Sequence, residues 1–300
     1  MAIDPDRPQI SSMICHRDID LGIECLGSLL RFSRDPVQLV LHDDGSITKE
    51  DRARLENALP NVRIISKEES DDLVYPLLKT FPHCEAFRRR SAMGMKLVDA
   101  ALMLEGNIIL CDTDILFVRP FHSAFVFPSE DVDVIHLKDY ADSYCWKPWQ
   151  TMRYSLPHRF NAGMMMIRRR FFELEGMERL VRTIETSYGY SANRSYQWFV
   201  EQTCWAALAG KLRTYRWKPK QMRVISKHDR YNQDFVAGHF VGSVRHLLAA
   251  YRDEAQRWGY GDGSPSVQIE LERAEPYSIS NFAINRLQNR LSSASAKLFT

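Results

Sequence analysis

Two aspartates one residue apart close an apolar run in the stretch IILCDTDILFVRP, residues 108–120. Side chains at i and i+2 of an extended segment point the same way, so Asp112 and Asp114 can converge on one hard cation. Mg²⁺ and Mn²⁺ take oxygen ligands, commonly one or two carboxylates together with substrate phosphates. The plain alternative is a strand-end turn with two solvated acids. Position favours a site: in open α/β sheets ligands sit outside the carboxyl ends of the strands, which is where this pair falls if IILC is a strand.

The elements that must position the pair are readable from periodicity. QISSMIC and VQLVLH are strands, and IDLGIECLGSLLRFS between them is an amphipathic helix. The second strand stops at the turn-forming DDGS. SITKEDRARLENALP is a helix capped by Ser46 or Thr48 and ended by a proline. VRIIS is a third strand, SAMGMKLVDAALMLEGN a helix closed by Gly106, and IILC the strand that delivers Asp112. Strands alternating with helices predict an α/β fold with a mostly parallel central sheet flanked by helices. Beyond residue 120 the pattern mixes. VDVIH and AGMMMIR read as strands, and FFELEGMERLVRTIET, SYQWFVEQTCWAALAG and SVRHLLAAYRDEAQRW as helices.

Composition bounds the function. With 300 residues, 45% hydrophobic and 26% charged, the chain has ample core, and a formal charge of +2 gives no drive toward nucleic acid. No apolar run approaches the roughly 18–20 residues that span a bilayer. MAIDPDRPQI lacks the apolar centre of a signal peptide, and the six cysteines show no CxxC pairing. Reduced thiols and a cytoplasmic setting are therefore expected. In the basic, Ser-rich tail, Phe282, Ile284, Leu287 and Leu291 stand among basic residues, as in an interfacial helix. That pattern suggests peripheral contact with the inner face of a membrane; packing on the protein's own surface is the competing expectation.

NIILCDTDILFVRP resembles the DxD strand-loop of GT-A glycosyltransferases, especially the glycogenin and lipopolysaccharide galactosyltransferase type. Further segments match in the family's order. FNAGMMMI (160–167) is similar to its Phe-Asn-Ala-Gly segment, EQTCWAAL (201–208) to its Asp-Gln-Asp-x-Leu helix, and HFVGSVRH (239–246) to its His-Phe-x-Gly-x-x-Lys-Pro-Trp segment. Lys96 stands 16 residues before Asp112, as the donor-binding lysine does in glycogenin-like sequences. There are departures. Glu201 replaces the first acid of its motif, and Arg245-His246-Leu247 replaces Lys-Pro-Trp. LVLHDDGS (39–46) is closer to the Asp-Asp-Gly-Ser turn of the other large GT-A family.

The resemblance implies a single GT-A (Rossmann-like) domain over 1–260. Residues 1–120 form its nucleotide-binding half, 121–260 its acceptor and donor-sugar half, and 261–300 a C-terminal tail. It implies a metal-dependent, retaining transfer of a sugar from a nucleotide-sugar, with UDP-sugar expected, to a glycan or glycolipid acceptor. Asp112, Asp114 and His239 would hold Mn²⁺ (or Mg²⁺), with Asp112 also reaching the ribose. Arg245, beside Gly242, would hold the diphosphate, and Lys96 and one of Arg88, Arg89 or Arg90 would add positive charge. Asp43 or Asp44 would accept a bond from a uracil imide. Asn161, Ala162, Gly163 and Gln202 would line the donor sugar, with Gln202, Asn161 and Lys96 nearest the chemistry. The aromatic stretch 140–160 offers ring faces for an acceptor sugar, or else a lid that buries them.

Three rivals stand beside this reading. A haloacid dehalogenase-like phosphohydrolase also ends an apolar strand in Asp-x-Asp, but wants that strand first in the chain and a Thr or Val where Leu116 stands. A noncatalytic sugar-nucleotide-binding domain would keep the fold without the chemistry. A sugar-nucleotide pyrophosphorylase wants an N-terminal Gly-rich arginine loop that SSMICHRDID does not supply.

Overall fold

The structure, a computed structural model, describes residues 7–188 and 194–278, with 280, 281 and 283 beyond them. Strands β1 (Gln9–Ile14), β2 (Gln38–Asp43), β3 (Arg63–Ile65) and β4 (Ile108–Cys111) run parallel, in the spatial order β4-β1-β2-β3. β5 (Ile115–Phe117) leaves this sheet, and β6 (Phe121–His122) lies apart from it. The sheet continues on the other side of β4 through β8 (Phe160–Ile167), β7 (Val134–Lys138) and β9 (Thr214–Trp217). β8 is antiparallel to both its neighbours, while β7 and β9 are parallel to each other. β10 (Met222–Val224) and β11 (Ala237–His239) pair with β5 in a separate three-stranded sheet. β12 (Val267–Gln268) pairs with β6, and β13 (Leu271–Arg273) closes the main sheet at eight strands. The expected mostly parallel sheet is present.

Helices cover both faces. α1 (Ile19–Phe32) buries Ile19, Gly22, Cys25, Leu26, Leu29 and Phe32, the three- and four-residue spacing of an apolar stripe. With α2 (Lys49–Ala58) it packs on one face through Leu26, Leu29, Leu55 and Leu59 against Ile10, Leu39, Leu41 and Met164. Of the two candidate caps, Thr48 is the one used. Its hydroxyl accepts from Asp51 N–H at 3.1 Å, and Asp51 accepts from Thr48 N–H at 2.9 Å. The other face carries α3 (Lys67–Leu78), α4 (Pro82–Arg90), α5 (Ala92–Met103), α6 (Pro148–Arg153), α7 (Leu174–Tyr188) and α8 (Arg194–Ala209). α9 (Leu248–Arg257) packs with β5, β10 and β11 around Phe235, Phe240 and Tyr251.

Three regions of the chain went unread or differ from the expectations. α3 and α4 carry no strong apolar stripe; α3 buries only Ser70, Val74 and Leu78, and even includes Pro76. The segment read as one helix from Ser243 opens as a 3₁₀ turn, Gly242–Leu247, after Gly242 adopts φ 54°, and becomes α-helical only at Leu248. The start of the expected tail is part of the fold: β12 and β13 pair with β6 and β9, and Tyr277 N–H donates to Leu156 O at 2.7 Å. Phe282, Ile284, Leu287 and Leu291 lie outside the described residues. Among the described residues no helix is long and apolar enough to cross a membrane.

Candidate active site

The carboxyl ends of β2, β1 and β4 lie side by side, and Asp112 and Asp114 follow the last of them. A histidine 125 positions after Asp114 reaches them for a topological reason. β5 pairs antiparallel with β11 so that Ile115 faces His239, and Phe240 N–H donates to Asp114 O at 2.9 Å. His239 Nε2 stands 2.8 Å from Asp114 Oδ1 and 3.6 Å from Asp112 Oδ2. One ligand atom from each of Asp112, Asp114 and His239 falls within 4.8 Å of the others. That donor set, two carboxylates and an imidazole, fits a divalent ion that accepts both oxygen and nitrogen.

The imidazole is aimed by a chain of partners. Asn161 Nδ2 donates to Asp139 Oδ2 at 3.0 Å, and Asn161 Oδ1 accepts from Gly163 N–H at 3.0 Å. The carboxylate and the backbone N–H together fix which end of the amide is oxygen. That oxygen lies 3.0 Å from His239 Nδ1, so Nδ1–H donates to it, and Nε2 faces the two aspartates, donating to Asp114 when protonated and able to ligate an ion once that proton leaves. Asn161, expected beside the sugar, is thus committed to His239, Asp139 and Gly163, and is buried. Gly163, reached through the bond Asp112 N–H to Gly163 O (2.6 Å), leaves room for the ring itself: a Cβ there would lie 2.2 Å from His239 Cε1.

The carboxylates are held by internal cations. Lys96 Nζ, on α5, lies 2.7 Å from Asp112 Oδ1 and 3.7 Å from Glu201 Oε1, and donates to Ala162 O at 3.1 Å. Arg245 grips Asp114 Oδ2 through Nε (3.1 Å) and Nη2 (2.9 Å) and Asp18 Oδ1 through Nη1 (3.0 Å). Burial alone would lift the Asp114 carboxyl. His239 and Arg245 outweigh it and hold it well below the usual range. Burial likewise pulls the His239 imidazole down, but Asp114 and Asp112 carry it above its ordinary value. Glu201 is pushed up to about 7 by burial, against the opposing pull of Lys96. Asp139 is raised by burial too, in spite of its bonds to Asn161 and Ala141.

Other expected site residues fall into two groups. Gln202 is at the site: its Oε1 accepts from Ala162 N–H and Asn161 Nδ2 at 3.4 Å each, and its Nε2 donates to Ser143 O at 2.9 Å. Asp43 ends β2 beside Ile14, with Oδ1 accepting from Gly45 N–H (2.7 Å) and Ile47 N–H (3.3 Å). Asp44 Oδ1 binds Ser46 instead. Arg88 lies elsewhere, buried on α4 with Nε 2.8 Å from Asp99 and Nη1 2.6 Å from Asp71. Arg89 pairs with Glu85 and Arg90 with Glu185 on the outer surface. Between 140 and 160, Trp146 is buried and stacked on Tyr154, whereas Tyr140 and Trp149 are exposed.

Sequence reasoning passed over Asp139, Asp18 and the Lys96–Glu201 contact. Asp139 carried a usable signal, since it follows the apolar run VIHL and a lysine at the end of β7 much as Asp112 follows IILC.

No protein-family model matches the chain, and no curated protein matches it in sequence. Among solved structures it is similar to mouse xyloside xylosyltransferase 1 in its apo form. The two are 13% identical over 79% of this chain and 99% of that one, with a TM-score of 0.54. It is also similar to the apo bifunctional glycosyltransferase WbbM, at 12% identity over 86% of this chain and a TM-score of 0.55. The match spans about half of WbbM, 52% of its length. At this level of identity the likeness speaks for architecture, and the architecture is the GT-A glycosyltransferase fold.

Proposed function

We propose that this chain is a metal-dependent glycosyltransferase that moves a sugar from a nucleotide-sugar to a sugar-containing acceptor. The observation that carries the reading is the cluster Asp112–Asp114–His239 at the carboxyl edge of a GT-A sheet, with His239 Nε2 facing both carboxylates. Asp112, Asp114 and His239 would hold Mn²⁺ or Mg²⁺. When bound, such an ion supplies Lewis-acid stabilisation of the diphosphate that departs from the anomeric carbon. The protein's own groups do the rest: Arg245 and Lys96 add positive charge around the diphosphate, and Gln202 and Ala162 line the sugar. Trp149 and Tyr140 offer ring faces to an acceptor.

A UDP-sugar is the donor we favour. Asp43 commits one carboxylate oxygen to its own turn, which leaves Oδ2 for a single imide N–H such as uracil offers. The transfer is assigned as retaining by resemblance alone, and NMR of the product anomer tests that point separately. Against the phosphohydrolase, Asp112 follows the fourth strand of the chain rather than the first.

The test is thermal melting with UDP in the presence and absence of Mn²⁺. Ligand at a hundred times its dissociation constant adds about 2.7 kcal/mol, a shift on the order of 5 °C for a domain of this size. The shift should require metal and vanish in Asp114→Ala. A shift with phosphomonoesters but with no nucleotide would transfer the site to the hydrolase reading.

A further inference from the structure

Next to the site, on the acceptor half, two basic groups have charged donors left without a partner. Lys138 ends β7, immediately before Asp139, whose carboxylate holds Asn161. The lysine is half-buried, and among the described residues its side chain makes no hydrogen bond or ion pair. Burial lowers its affinity for a proton, and Arg216 and Arg159 lower it further, while Glu272 and Glu275 pull the other way.

Arg216 lies on the neighbouring strand. It pairs in register with His136, two residues before Lys138, and stands close enough for its charge to lower the lysine's affinity for a proton. Arg216 is 6% exposed and spends Nε on Glu272 at 2.6 Å, but its buried Nη1 has no acceptor. Buried charged donors are normally satisfied, and one left without an acceptor is destabilising. An unpaired half-buried ammonium and one unsatisfied guanidinium nitrogen, the Nε of that group being held by Glu272, could both be met by one oxyanion.

We infer that the acceptor carries a phosphate or carboxylate, and that Lys138 and Arg216 read it. The inference rests on the glycosyltransferase reading for the word acceptor; the anion site itself does not. Lys138 is the half-exposed member through which an oxyanion enters, and behind it the unsatisfied Nη1 of Arg216 offers a second charged donor.

The full chain is melted in EDTA, without nucleotide and at constant ionic strength, with glucose 6-phosphate, glucuronate or glucose. One or both acidic sugars should raise the melting temperature and glucose should not; which acid acts separates phosphate from carboxylate. Lys138→Gln should bind that sugar at least about tenfold more weakly, Lys138→Arg should retain it, and Asp114→Ala should leave it intact. Because it removes a crowded cation, Lys138→Gln should melt at least as high as wild type when no anion is present, so its loss of response is not misfolding. No response to either acid, or an equal response in Lys138→Gln, overturns the inference. So does a response abolished by Asp114→Ala but kept by Lys138→Gln, which would put the anion at the carboxylate cluster. A UDP and Mn²⁺ melt of the same wild-type sample reports on the enzyme reading independently.

Discussion

Gly163→Ala is the sharpest probe of how the site is built. The added methyl would lie 2.2 Å from His239 Cε1, 2.4 Å from His239 Nδ1 and 2.8 Å from Asn161 Oδ1. Carbon atoms in contact rest near 3.5 Å, so the imidazole must retreat by about 1.3 Å. Little room exists for that. His239 is buried, β11 is paired on both sides, by β10 and β5, and Asn161 is tied to Asp139.

Metal–ligand distances tolerate only about 0.2 Å, so the shift takes Nε2 out of shared reach with the two carboxylates. Losing an orienting partner of a metal-binding histidine costs roughly 10- to 100-fold in affinity. Displacing the ligand itself should reach the top of that range, about 2.7 kcal/mol. Overpacking should cost folding about 1–3 kcal/mol, which leaves a folded protein to measure. Mn²⁺ binding is followed by the paramagnetic resonance of the free ion with UDP present, and folding by circular dichroism. Gly106→Ala is the control, since φ 75° strains it while nothing lies within 4 Å of the new methyl. It should lose stability and keep the metal. A folded Gly163→Ala that binds Mn²⁺ as wild type does would refute the assignment of His239.

Two further substitutions separate site from scaffold. Lys96→Met leaves Asp112 and the buried Glu201 without their cation and should destabilise by about 3–5 kcal/mol; adding Glu201→Gln should recover part of this, and a double variant that melts no higher than the single one removes the pairing. Arg88→Met strips the partner from fully buried Asp99 and should cost a similar amount in urea unfolding while UDP affinity holds; a changed nucleotide affinity would mean that the arginine reaches the ligand after all.

The parts of this molecule that were legible in the sequence are those specified by neighbours. The strand ending at Cys111, a helix cap at Ser46 or Thr48 and the turn at Gly45 each follow from a few adjacent residues, and the alternation of strand and helix follows from periodicity. The Asp112–Asp114 pair was placed at a strand end by the same logic. What stayed hidden is set across the fold. β5 looks like a continuation of β4, yet it joins another sheet, and that departure alone brings His239 to Asp114. Asn161 offers a donor and an acceptor to any partner; only the fold shows that Asp139 and Gly163 choose its orientation. Three consecutive arginines at 88–90 look alike as letters, but helical geometry sends the first into the interior and the others outward.

The charge carried by the cluster ties these features to pH. Asp18, Asp112, Asp114 and Glu201 face three cations, Lys96, Arg245 and, on Asp18, Arg17, so with His239 neutral and Glu201 ionised the group holds one net negative charge. Without the ion, the raised His239 and the elevated Glu201 carboxyl, at about 7, let the cluster take up protons instead. The signs follow. His239 is raised in the fold, so its contribution is complete below about pH 6.5 and fades as pH climbs through the raised value. Asp114 is depressed, so its contribution is present above about pH 3.9 and fades as pH falls through the lowered one. The metal-free pair therefore contributes most between those limits, whereas metal binding needs the imidazole unprotonated and gains as pH rises. Near pH 7, Mn²⁺ binding should release protons, read by calorimetry in buffers of different ionisation enthalpy. The Mn²⁺-induced rise in melting temperature should be larger at pH 8 than at pH 5.5. A metal response without proton release, equal at both pH values, would place the ion away from His239 and leave Asp112 and Asp114 to explain it alone.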